Sequence, residues 1–206
     1  MPVYKLSYFP FRAVAEVVRQ IFAYAEVEYE DNRVTMEQWP EFKDKTPFGQ
    51  MPVLEVDGKA IPQSFAIARY AASQHGLTGK DAFEAAWVDA IADQYKDYQN
   101  DFRNFWYVYL GFREGDKDKT LKEHGEPARD KFYPLLVKQL KSAGSGFLVG
   151  NQLTWVDLLI SEHVATTEEH VPGFFKDYPE ILAHAAKVRA IPQIKKWIET
   201  RPESRA

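Results

Sequence analysis

The apolar residues of this chain change their spacing once, near residues 77–80, and that change limits the fold more than any single motif. Before it, short runs of β-forming residues alternate with helical spacing. After it, apolar residues recur only at intervals of three and four, so no strand is expected. The chain therefore reads as an α/β unit, residues 1–78, followed by an all-α unit, residues 79–206.

In the first unit, residues 3–9 are rich in β-branched and aromatic side chains and are closed by Pro10, which marks a strand ending at a turn. Val14, Val17, Val18, Ile21, Phe22 and Ala25 then share one face of a helix from about residue 11 to 24. Residues 29–34 predict a second strand, and a βαβ unit of this length implies a parallel pair with a right-handed crossover. Residues 53–56 and 59–61 flank Asp57-Gly58, a dipeptide that tolerates the positive φ angles of a two-residue hairpin turn. A helix over 64–75, stopped by Gly76, completes the order βαβ-ββα around a mixed four-stranded sheet.

In the second unit, Trp87, Ile91, Tyr95, Tyr98, Phe102, Phe105 and Tyr109 predict one long helix with a packed aromatic stripe. A Gly-, Asp- and Lys-rich loop over 111–119 precedes a helix carrying Phe132, Leu135, Leu136 and Leu140 on one face. Thr154 and Asp157 nearly match a capping box, with Leu153 and Leu158 placed as its hydrophobic staple. Pro179 and Pro192 suit the first turns of two short helices, and the polar tail from Arg201 is expected to fray.

Composition removes several classes of function. The chain has no cysteine, so sulfur chemistry would have to come from a ligand. A net charge of -4 with scattered lysines argues against nucleic acid. No leader pattern and no stretch of ~20 apolar residues is present, which predicts a cytoplasmic protein with no membrane span. The five histidines have no ligand-like spacing, and no phosphate loop, His-Glu-x-x-His or Gly-x-Ser-x-Gly motif occurs, so no metal is expected.

Certain segments stand at the joints of this order: residues 4–9, Trp39-Pro40, 47–54, 63–70 and 150–157. As a set they resemble the cytosolic glutathione transferases, most closely the sigma class, over essentially the whole chain. The resemblance implies a thioredoxin-like domain that binds glutathione, an all-α domain carrying a hydrophobic pocket, and a homodimer. It implies conjugation of the glutathione thiolate to hydrophobic electrophiles, as in detoxification. Tyr8 stands where the family keeps its catalytic tyrosine. A free thiol, with a pKa of ~8.5, is only a few per cent thiolate at neutral pH, and a phenol O–H hydrogen-bonded to the sulfur favours the anion.

The resemblance further implies that Met51-Pro52 is cis and that the Met51 backbone pairs with the cysteinyl part of glutathione. Gln63 and Ser64 would meet the γ-glutamyl carboxylate at a helix start, and Trp39 and Lys43, in the loop region after the second strand, the glycyl end. Gly49 and Gln50 belong to the same glutathione-binding segment, and Asp97 would reach the neighbouring subunit's ligand. Phe9, Arg12, Phe102, Phe105, Trp106 and Tyr109 are the candidate pocket residues. Val14 and Lys96 depart from the prostaglandin D synthase pattern, which has an arginine and an acid at those positions, and this counts against prostaglandin isomerisation. Three alternatives stay open: a carrier of bulky apolar ligands such as haem or lipid products, a structural relative without turnover, and, against those two departures, a glutathione-dependent prostaglandin isomerase.

Overall fold

A computed structural model describes residues 2–204. Its first half builds a sheet of order β2-β1-β3-β4 from β1 (Tyr4–Tyr8), β2 (Glu30–Arg33), β3 (Val53–Val56) and β4 (Lys59–Pro62). β1 runs parallel to β2, with Lys5 opposite Glu30, and antiparallel to β3, with Leu6 opposite Leu54. The β3–β4 hairpin turns at Asp57 and Gly58, whose φ angles of 48° and 77° are those a two-residue turn requires. Leu6 and Leu54 are fully buried.

The faces of the sheet are covered by helices. α1 (Glu16–Tyr24) buries Val17, Val18, Ile21 and Phe22, as its spacing predicts, and α3 (Ser64–Gln74) buries Ile67, Ala68, Ala71 and Ala72. Residues 39–43, expected as loop, form a short helix, α2 (Trp39–Lys43), with Pro40 in its first turn. Five residues are too few to leave a helical period in the sequence.

The second half contains no strand among the described residues. α4 (Ala82–Tyr109) starts at Asp81, whose carboxylate accepts from the N–H groups of Phe83 and Glu84. α5 (Lys117–Thr120) and a π-helical turn over Leu121–Gly125 lead into α6 (Glu126–Ala143). α6 buries Phe132, Leu136 and Leu140, but Leu135 is 51% exposed, off the face the spacing assigned to it. Neighbours in sequence point about 100° apart on a helix, so Leu135 and Leu136 compete for one face.

α7 (Trp155–His170) is buried along its whole first half, Trp155 to Glu162, and lies at the centre, packed against α1, α4 and α8 (Pro179–Arg189). The capping box is formed: Asp157 accepts from the N–H and the hydroxyl of Thr154 at 2.8 and 2.7 Å. It also accepts from Leu148 N–H and lies 2.9 Å from His184 Nε2. α9 (Pro192–Thr200) returns to α1. The tail does not fray at Arg201, whose guanidinium donates to Glu16 at 2.8 Å and Glu162 at 2.9 Å. No helix among the described residues is long and apolar enough to cross a membrane.

Candidate functional site

β1 delivers Tyr8 to the seam between the sheet and the long helix, where it opens onto a cavity of about 640 Å³. Tyr8 is 9% exposed, and its hydroxyl has no hydrogen-bond partner among the described residues. Burial pushes the phenol up to about 12; the Arg19 charge works against this and Tyr107 adds to it. The group therefore keeps its proton at neutral pH and acts as a donor.

Around Tyr8 the α/β half presents backbone groups in constrained conformations. Met51-Pro52 is cis. Gln63, at the start of α3, has φ +75°, a conformation that costs a non-glycine residue on the order of 1–3 kcal/mol. Ser64 and the next N–H groups of α3 precede the first intrahelical bond, from Ile67 N–H to Gln63 C=O, and no side chain caps them. Gln63 donates to Gln50 Oε1 at 3.3 Å. Gly49 has φ +63°, and a Cβ there would lie 3.4 Å from the Lys43 stem, so the turn and the α2 lysine are fitted to each other. Trp39 meets Phe9 edge to face at 5.5 Å.

The helical half supplies most of the other wall. Of the expected pocket residues, Phe9 and Trp106 line the cavity. Phe102 and Phe105 are each 1% exposed and turn into the helical core instead, while Tyr109 stacks behind Trp106 and donates to the His170 carbonyl. Arg12 is buried against Glu162 and Glu169. Residues three and four apart on α4 sweep an arc wider than the cavity, so only part of the aromatic stripe faces it. Leu110, Phe112 and Arg113 beyond α4, with Met36 opposite, take the places left open. Gln99, His163 and Thr166 also line the wall, and Val14 occupies its α1 side. Asp97 is exposed on α4 and is not part of the lining.

Of the expected glutathione residues only Tyr8 lines this cavity; a protonated phenol there, with an uncapped helix start at Ser64 on the same domain, is what a thiol-bearing anion would need. The family comparison decides the matter. Residues 4–73 match the glutathione S-transferase N-terminal domain and residues 100–201 the glutathione S-transferase C-terminal domain. The chain belongs to the glutathione S-transferases.

It is 55% identical over 204 residues to "Probable glutathione S-transferase 5" of Caenorhabditis elegans, with 98% of each chain covered. Among solved structures it is similar to the monomeric Na-GST-3 of the hookworm Necator americanus, with TM-score 0.97, 51% identity, and 99% and 100% of the two chains covered. It is also similar to a Nu-class transferase of Haemonchus contortus, with TM-score 0.93, 50% identity and both chains fully covered. The α/β-then-helical architecture is that of this family, and the protein conjugates glutathione to hydrophobic electrophiles.

Proposed function

We propose that Tyr8 hydrogen-bonds the sulfur of bound glutathione and holds it as thiolate, facing an apolar electrophile in the cavity. The observation that carries this is the Tyr8 hydroxyl, protonated, without a partner among the described residues, and open to a cavity walled by both halves of the molecule. A hydrogen bond to the anion lowers the thiol pKa, and each pKa unit corresponds to ~1.4 kcal/mol. Holding thiolate and electrophile together supplies the rest of the rate.

Residues 1–78 form the glutathione-binding domain in this reading and residues 79–206 the pocket-bearing one. The γ-glutamyl carboxylate sits on Ser64 and the uncapped N–H groups of α3, beside Gln63 and Gln50. The cysteinyl backbone pairs with Met51 at the cis bond to Pro52, and Trp39, Lys43 and Gly49 take the glycyl end. Asp97, exposed on α4, serves a neighbour's ligand in a homodimer. Within the family the Tyr8 and Gln63-Ser64 segments support a sigma-class reading, with a Nu-class protein among the similar structures, and a cytoplasmic setting goes with it. Glutathione is a co-substrate and no metal is invoked.

The test is steady-state conjugation of a chlorodinitrobenzene, wild type against Tyr8→Phe, with calorimetric binding of glutathione to both. The expected result is a loss of about a hundredfold in kcat/KM with glutathione affinity nearly retained. Equal turnover rejects the role of Tyr8. Sedimentation tests the dimer: a monomer at assay concentration removes the role given to Asp97.

A further inference from the structure

One polar cluster on the cavity wall has a hydrogen-bonding count that only one arrangement satisfies. Glu162 accepts from Gln20, Arg189 and Arg201, and Thr166 gives its proton to Glu162, so neither has a proton to offer the cavity. Gln99 differs. Its amide lies 2.5 Å from the Tyr95 hydroxyl and 3.3 Å from His163 Nδ1, and the Tyr98 hydroxyl lies 2.8 Å from His163 Nε2. Tyr95 and Tyr98 are buried at 5% and 3% exposure. Burial pushes His163 down to about 3, so its ring is neutral and carries one N–H.

The oxygen and nitrogen of a carboxamide occupy interchangeable positions, and proton placement decides between them. With the nitrogen toward Tyr95 and His163, the ring proton sits on Nε2 and points at Tyr98. The phenol proton of Tyr95 is then left without an acceptor, and that of Tyr98 has only the Tyr133 hydroxyl to turn to. With the oxygen toward them, every proton is placed: Tyr95 O–H and His163 Nδ1–H donate to Gln99, and Tyr98 O–H donates to His163 Nε2. Buried donors are nearly always bonded, which selects the second arrangement. The Gln99 amide nitrogen then points away from the cluster. That end of the amide has no partner among the described residues, is not sealed in, and belongs to a side chain that lines the cavity.

We propose that Gln99 offers this amide N–H to the electrophile and makes the enzyme selective for α,β-unsaturated carbonyl compounds. The assignment rests on the glutathione reading above. In the addition, the thiolate sulfur bonds to the β-carbon, the C=C pair shifts to form the enolate C=C, and the carbonyl π pair moves onto oxygen. A proton from solvent then reaches the α-carbon, replacing the one the thiol released, and no group leaves. Gln99 donates to the oxygen on which charge grows, the geometry in which a fixed donor assists most.

The test compares benzylideneacetone, an enone, with benzyl chloride, which reacts with the same thiolate but has no acceptor oxygen. The readout is the ratio of kcat/KM for the two in wild type, Gln99→Met and Gln99→Glu. Gln99→Glu keeps an acceptor for Tyr95 and His163, so it tests the donor even where the Met variant fails to fold. The ratio should fall about tenfold to a hundredfold in favour of benzyl chloride in the variants. An unchanged ratio overturns the assignment, whether both activities persist or both fall together. Absence of turnover of both compounds by the wild type overturns the glutathione reading, and the assignment with it.

Discussion

The α/β wall of the cavity is defined by backbone conformation, whereas the helical wall is defined by which side chains a regular helix happens to turn inward. The cis bond lies in the first half, as do Ala13, Glu26, Asp57 and Gln63, the non-glycine residues with positive φ among those described. The helices that face the cavity from the second half, α4 and α7, bring regular backbone and a dense set of rings, such as Tyr98 stacked on Phe132 at 5.0 Å. A tripeptide is recognised through its own backbone, so fixed N–H and C=O groups suit it. Varied apolar electrophiles are better met by side chains, which can be exchanged without disturbing the fold.

The largest effect expected from a single change lies on the seam that joins the two walls. Glu16 on α1 and Glu162 on α7 have side chains only 1% and 8% exposed, and Arg201 donates to both. Glu16 also accepts from Trp197, and Glu162 from Gln20 and Arg189. Removing one member of a buried ionic network leaves charge uncompensated. Arg201→Ala should therefore cost about 3 kcal/mol in urea denaturation, the low end for such networks because the other partners remain. A loss under about 0.5 kcal/mol, as for an ordinary surface change, would mean the halves do not depend on this tie.

That seam also shows what the sequence conceals. The Asp57-Gly58 hairpin, the Thr154–Asp157 cap and the phase of α1 are local patterns, each complete within a dozen residues, and they were legible. Arg201 meets Glu16 across 185 positions, and nothing in a run of charged residues at a chain end announces such partners. The same limit applies to the cavity. The spacing of Phe102, Phe105 and Trp106 shows that α4 has an aromatic stripe, but which ring faces the cleft depends on where α7 and the sheet lie. Phe112 and Met36, on loops, carry no period at all. Resemblance to a family nominated the glutathione residues; the pocket residues, set by how distant elements pack, had no such guide.

A pH titration probes the helical wall next. Unfolded, the His163 imidazole takes a proton near pH 6.5; folded, it stays neutral down to about 3. Between these values the unfolded state binds the additional proton, so acid favours unfolding and stability falls as pH drops from 6.5 toward 3. The slope from this one group is about 1.4 kcal/mol per pH unit within the window. His75, also held below its usual value by burial, acts in the same direction. His163→Asn should flatten the slope by about one proton in denaturation curves taken across the range. An unaltered slope would mean that His163 titrates normally in the folded protein.

On the α/β wall, Gln63→Gly should move stability and binding in opposite directions. Glycine adopts φ +75° freely, so relief of strain should outweigh added chain entropy and stabilise the fold by about 1 kcal/mol. The loss of the amide beside Ser64 should weaken glutathione binding by about tenfold in calorimetry. Destabilisation together with unchanged affinity would show that the strained conformation is incidental to ligand recognition.

Phe112→Ala should have the smallest effect and separates the two walls most cleanly. The side chain is 60% exposed at the cavity mouth and touches Tyr107 edge to face at 5.9 Å. Truncation removes little buried area, so stability should change by less than about 0.5 kcal/mol. A bulky electrophile that rests against this ring should show about a threefold rise in KM, with glutathione affinity unaltered. Titrating glutathione into the variant decides the point. If its affinity falls along with the electrophile's, residues beyond α4 help shape the tripeptide site, and the division between a backbone-built wall and a side-chain-built wall does not hold.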